Sequence, residues 1–257
     1  MKKLIRSVVA ASLCLGLLPA AFAQMGGPGA GGPHFGGSMA KLFGDNSSFS
    51  GTMEIQVPIG DKSMTMPGKM YFDQGKSRFE MDITQATGSA LPPGAGAQLK
   101  SMGMATVIAL SIQDKKLAYI IYPDLKAYAE MPMPNPEDAK PASDFKIEAT
   151  ELGKETVDGH ACVKEKAVVT DDKGTAHDYI IWRATDQKGF PVKIETTERG
   201  QTITMMFKNV SLTKPDAALF QPPAGFKKYT DMQTMMQEEM MKRMGGGPGA
   251  PPPAKTP

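Results

Sequence analysis

Between Phe145 and Tyr229 the chain alternates short runs of apolar and polar positions with Asp/Gly turns. The runs Phe145–Thr156, Ala161–Val169, Tyr179–Thr185, Phe190–Thr197 and Ile203–Ser211 are separated by Val157-Asp158-Gly159-His160, Asp171-Asp172-Lys173-Gly174, Gln187-Lys188-Gly189 and Glu198-Arg199-Gly200. Runs of strand length joined by such turns predict an antiparallel meander. Upstream, Ser50–Val57 places Met53, Ile55 and Val57 on one face against Thr52, Glu54 and Gln56, the period of a half-buried strand. Ser63–Phe72 and Lys76–Thr84 follow through Gly60-Asp61-Lys62 and Asp73-Gln74-Gly75, and Phe79, Met81 and Ile83 alternate with Arg78, Glu80 and Asp82. These three strands form a meander with one wet face.

The alternation fails from Gln85 to Gly103, where Leu91-Pro92-Pro93-Gly94-Ala95-Gly96 breaks structure and Ala97–Met104 reads as a short helix within a mobile insertion. Thr106–Ile112, Leu117–Tyr122 and Ala127–Met131 resume as strands, apolar on both faces, as does Tyr179-Ile180-Ile181-Trp182. Such runs belong to strands covered on both sides. Leu219–Pro223 reads as an irregular arm, and Tyr229–Met244 as a helix with Thr230 as N-cap and Gly245 as stop. The pattern gives a mainly β domain and leaves an open barrel and a sandwich undistinguished.

The ends add a compartment. Met1-Lys2-Lys3-Leu4-Ile5-Arg6, the apolar Val8–Leu18, Pro19 and Ala21-Phe22-Ala23 form a secretory leader (residues 1–23) with cleavage expected after Ala23. Leu13 before Cys14 argues against lipid attachment, and no later run approaches the about 20 apolar residues of a membrane span. The domain assignment is therefore a leader, a Gly/Pro-rich tether at 24–37, a β domain with its helix at 38–244 and a Pro/Gly-rich tail at 245–257. Loss of Lys2, Lys3 and Arg6 takes the formal charge from +2 to −1, which removes any electrostatic case for nucleic acid. One cysteine, Cys162, remains, so no intrachain disulfide forms. The expected location is periplasmic or secreted.

Candidate chemistry is sparse. His160 and Cys162 stand two apart at a strand start and share a face, but the further ligands of a structural zinc site are missing, and His34 and His177 lie elsewhere. A buried free cysteine beside a turn histidine is the plainer account. No Gly-x-Ser-x-Gly elbow occurs, the Gly26–Gly32 run lacks the ending of a phosphate loop, and Asp171–Gly174 carries a lysine where a calcium loop needs oxygen. The reading is of a non-enzymatic protein without a cofactor. Methionine is the oddity: Met232, Met235, Met236 and Met240 share a broad helix face, and Met64, Met66, Met70, Met205 and Met206 lie in strands. Thioethers make adaptable apolar surfaces and also bind copper(I).

Several short signatures carry a resemblance: Lys116-Leu117 through Tyr122-Pro123-Asp124, Gly189-Phe190-Pro191-Val192-Lys193-Ile194, Phe207-Lys208-Asn209-Val210, and Phe220 with Pro223-Ala224-Gly225. Their order resembles that of periplasmic lipoprotein carriers of the LolA type. Asp158-Gly159-His160-Ala161-Cys162 and the Met-rich end resemble more closely an uncharacterised family of secreted bacterial proteins in the same superfamily. The resemblance implies an open, curved antiparallel half-barrel with a short helical insertion, a C-terminal helix, and an apolar cavity that accepts acyl chains.

Phe190, Val192, Ile194, Ile203, Met205 and Phe207 alternate with Lys193, Glu195, Thr204 and Lys208, so they are expected to face the interior. With Trp182, five of these (Phe190, Val192, Ile194, Met205 and Phe207) form the expected hydrophobic ligand site, and Met232, Met235, Met236 and Met240 the expected lid. The expected partners are an acyl chain or lipoprotein, or another envelope protein. A structural or protein-interaction module is the alternative, and a Met-based copper protein a further one.

Overall fold

A computed structural model describes residues 35–90, 92–133, 137–198 and 200–243. The expected leader, most of the expected tether, Met244, the Gly245 stop and the tail lie outside the described residues. A single twelve-stranded sheet dominates. In chain order its strands are β1 (Ser48–Ile59), β2 (Lys62–Asp73), β3 (Lys76–Asp82), β4 (Thr106–Ile112), β5 (Leu117–Tyr122), β6 (Ala127–Pro132), β7 (Lys146–Val157), β8 (His160–Thr170), β9 (Ala176–Ala184), β10 (Phe190–Glu198), β11 (Gln201–Ser211) and β12 (Lys227–Tyr229). The spatial order β12-β6-β5-β4-β3-β2-β1-β11-β10-β9-β8-β7 leaves β12 and β7 as edges, so the barrel is open. Every pairing is antiparallel except β12 on β6.

The hairpins close where the sequence supplies residues tolerant of positive φ. Between β7 and β8, Asp158 and Gly159 have φ of 50° and 85°, the primed turn that matches the twist of the flanking strands. The Asp171 turn is braced instead by side chains. Asp171 accepts from the Lys173 and Thr175 backbone amides, and Lys140 bonds both Asp171 at 2.7 Å and Asp172 at 2.6 Å. The Lys140 ammonium beside it holds the Asp171 carboxyl well below the usual carboxylate range.

Register divides the sheet into two faces. Phe49, Met53 and Ile55 of β1 share one face with Met205 and Phe207 of β11, and the line Met70–Phe79–Ala109–Ile120–Ala129 continues it across β2 to β6. Two helices cover this inner face: α1 (Gly37–Lys41) over the β1 and β8–β11 half, and α3 (Met232–Arg243) over the β4–β6 half. The outer face of β4–β6 carries Ile108, Leu110, Ile112, Tyr119 and Ile121, covered by Leu219, Phe220 and Phe226 of the returning arm. Arg78 fastens the arm by donating to the Leu219 carbonyl at 3.0 Å. The arm thus crosses the outer face from β11 to the far edge, where β12 joins β6 and α3 folds onto the inner side.

Three details differ from the sequence reading. The packed chain starts at Phe35, ahead of the Ser38 boundary, because Phe35, Met39, Leu42 and Phe43 bury their side chains in the core. The insertion contains α2 (Ala95–Ser101) and is tied down by a Thr65–Thr87 bridge and by buried Ala95 and Leu99. Tyr229 ends a strand rather than starting the helix, and Asp231 is the cap in place of Thr230: its carboxylate accepts from the Thr234 amide at 2.7 Å and the Thr234 hydroxyl at 2.9 Å.

Candidate functional site

The half of the inner face under α1 is packed with aromatic rings. Phe43 lies 4.7 Å from Phe49, 5.4 Å from Phe190, 5.6 Å from Phe207 and 6.1 Å from Phe72, measured between ring centroids. Phe190, Val192, Ile194, Met205 and Phe207, with Ile203, are all buried here. The structure brings these expected ligand residues together and places them against the chain's own Phe35, Met39, Leu42 and Phe43. Arg183, paired with Glu165 at 2.9 Å, donates to the Leu42 carbonyl at 2.8 Å and holds the segment down. Gly36 and Gly37 admit it beneath the 137–145 loop: a Cβ at Gly37 would run into the Lys140 carbonyl and the Phe145 ring.

Trp182 is the exception. It pairs in register with Lys193 of β10 and Lys164 of β8, residues that point away from the inner face. Its indole donates to Glu155 at 2.8 Å, and the Lys193 and Lys164 ammoniums stand 4.0 and 4.9 Å from its ring. It is buried under lysine stems, in the same apolar cluster as the other five but turned to the outer side of the sheet. The bulge at Pro191/Lys193 and the unbroken apolar run around Trp182 hid its face from pattern reading.

The other half carries methionine where the first carries phenylalanine. Met235 is wholly buried on Val107, Ile120, Tyr122, Ala127 and Ala129, with Met232 and Met236 half-buried beside it. Met240 is half-buried outside this cluster. Glu239, on the packed side of α3, is satisfied by the Tyr229 hydroxyl at 2.6 Å and by Lys242. Its carboxyl lies below its ordinary value, the Lys242 and Tyr229 bonds outweighing a burial that pushes it up.

Between the two covered halves runs an apolar strip that is only half-buried. Val57, Met66 and Phe79 border the aromatic cluster, and Met81, Ile83 and Ala109 border the methionine cluster. Register sets them side by side: Ile55 opposite Met66, Gly68 opposite Met81, Phe79 opposite Ala109. The Phe79 ring leans over Gly68, where a Cβ would collide with it.

Among the described residues, the cysteine and histidines lie away from this strip, on β8 and β9. Cys162 is buried, its thiol pushed up by burial, and its Sγ lies 3.4 Å from the His160 carbonyl. His160 pairs with Asp186 at 2.8 Å, and His177 lies 3.3 Å from Glu137. A cleft of about 430 Å³ opens beside Cys162, lined among others by Lys154, Glu155 and Thr185. Among the described residues, no group of three or more His, Cys, Asp or Glu side chains is placed to hold a metal ion, and no helix is long and apolar enough to cross a membrane.

A comparison with curated proteins finds no match. Solved structures similar to this chain include an uncharacterized conserved protein from Thermus thermophilus, at 11% identity and a TM-score of 0.43, covering 75% of this chain and 96% of that one. A LolA superfamily protein from Nitrosomonas europaea is similar at 9% identity and a TM-score of 0.39, with 72% and 94% covered. The lipoprotein LppX from Mycobacterium tuberculosis is similar at 10% identity and a TM-score of 0.37, with 75% and 95% covered. A model of the family described as "Domain of unknown function (DUF4412)" matches residues 49–186, more than half of the chain, and the protein belongs to that family.

Proposed function

We propose that this is a non-enzymatic protein of the bacterial envelope that binds an acyl chain or similar hydrophobic ligand on the inner face of its sheet. The observation that carries the reading is the half-exposed strip of Val57, Met66, Phe79, Met81, Ile83 and Ala109 between the two helix-covered halves. An apolar ligand gains most where apolar surface is contiguous, wet and held open by rigid neighbours. About eight methylenes laid on such a strip contribute roughly 6 kcal/mol before ordering costs, at about 0.8 kcal/mol each. Charged side chains are absent from it, which favours a chain over a polar metabolite. The leader expected at residues 1–23 supports an exported location.

The ligand site is accordingly shifted from Phe190, Val192, Ile194, Met205 and Phe207 toward the middle of the sheet, since α1 fills that first region. α3 borders the strip with its flexible thioethers and serves as its adaptable wall. A fluorescent acyl probe tests the reading. Wild-type protein takes it up, whereas Val57→Lys/Met66→Lys, at half-exposed positions that tolerate charge, loses at least tenfold in affinity with an unchanged circular dichroism spectrum. Equal uptake by both, or none by the wild type, would refute it.

A further inference from the structure

The methionine half supports a second binding activity, independent of the acyl reading. Six of the fifteen side chains that build the cluster under α3 are methionines, drawn from four parts of the chain: Met81 on β3, Met104 before β4, Met131 on β6, and Met232, Met235 and Met236 on α3. The same cluster contains no phenylalanine, whereas its aromatic counterpart includes eight. The counterpart has only five methionines among its thirty-three side chains, so thioethers, which are soft donors, are concentrated under α3.

We propose that the cluster is a thioether site for a soft monovalent cation, copper(I) or silver(I), built around Met131, Met232 and Met236. Met232, Met235 and Met236 stand at i, i+3 and i+4 on one helix face. The Tyr229–Ala129 pair sets β12 beside β6, so Met131, two residues beyond Ala129, lies level with the start of α3. Met131, Met232 and Met236 are half-buried, which leaves an ion a path inward.

Selectivity comes from what surrounds the sulfurs. The nearby carboxylates are already engaged: Glu130 with Lys228, Glu238 with Lys227, and Glu239 with Tyr229 and Lys242. His160, Cys162 and His177 belong to the opposite half of the sheet. The soft donors an ion meets here are thioethers, beside an Asp231 carboxylate already held by Thr234, and thioethers retain copper(I) and silver(I) but hold zinc(II) or copper(II) poorly. Asp231 at the helix start offsets the unfavourable dipole that a cation would feel there.

Silver(I), a redox-inert stand-in for copper(I), provides the test by titration calorimetry on the purified protein. One equivalent should bind wild type and Cys162→Ser alike, and Met240→Leu should change nothing. Met131→Leu/Met232→Leu/Met236→Leu, which conserves side-chain volume, should weaken binding at least tenfold while zinc(II) gives no uptake by either protein. If that triple variant does not fold, Met232→Leu/Met236→Leu at the half-exposed positions carries the same expectation. Absence of silver uptake by the wild type, undiminished binding by the leucine variants, or loss through Cys162→Ser alone would overturn the proposal.

Discussion

The two halves of one sheet bury their inner faces with different chemistry. Under α1, Phe35, Phe43, Phe49, Phe72, Phe190 and Phe207 interlock, with centroid separations as short as 4.7 Å. Under α3 the same role falls to Met81, Met104, Met131, Met232, Met235 and Met236. Aromatic rings have few rotamers and pack into one arrangement, whereas thioether chains adapt to whatever lies against them. The contrast teaches that a continuous β-sheet can be rigid and self-filled at one end and deformable at the other, with a half-buried apolar strip at the join.

The sharpest way to break this contrast is a charge inside the aromatic half. Val192 is 1% exposed among Phe190, Ile194 and the α1 side chains, so Val192→Asp should cost several kcal/mol and unfold the domain, as read by urea denaturation. Native-like stability would mean that this half is not packed as described. A matched pair of milder changes compares the halves directly. Phe43→Leu replaces a ring that touches five others by an aliphatic chain that cannot stack and should cost about 2 kcal/mol or more. Met235→Leu, at an equally buried site, should cost less than about 1.5 kcal/mol. Equal losses would erase the distinction between rigid and adaptable packing.

The smallest expected effect is confined to α3. Asp231→Ala removes the cap and should speed amide hydrogen exchange in the first helical turn, Asp231→Asn should restore protection, and the aromatic half should be unaffected. Acid should act on the same element. Hydrogen bonds to Thr234 lower the Asp231 carboxyl below its ordinary value, and bonds to Lys227 and Tyr229 lower Glu238. Groups with depressed folded pKa values stabilise above the ordinary carboxylate range and lose that contribution as pH falls through and below it. Docking of α3 should therefore weaken below about pH 4, the ordinary carboxylate range, and exchange measured across pH 3–6 checks this.

Strand positions were legible because period-two alternation and Asp/Gly turns are local signals. The expected Leu117–Tyr122 and Thr106–Ile112 coincide with β5 and β4, and the other strands differ by a few residues at their ends. What failed was non-local. Phe35, Met39, Leu42 and Phe43 stand at i, i+4, i+7 and i+8, a helical spacing that was present in the sequence but obscured by the Gly/Pro-rich lead-in. The face of Trp182 depends on a bulge and on its neighbours' register, and β12 exists only because the arm delivers Lys227–Tyr229 beside Ala127–Ala129. The strip itself is legible only as a by-product of where the two helices stop.

The central claim is that the hydrophobic ligand lies on that strip and not in the aromatic half. A photoactivatable acyl probe, cross-linked to the protein and mapped by peptide mass spectrometry, tests it most directly. The account predicts labels on Val57, Met66, Phe79, Met81 and Ile83, with few on α3 and none on Phe190 or Phe207. Labelling concentrated on Phe190, Met205 and Phe207, or labelling that a competing acyl chain does not reduce, would contradict it.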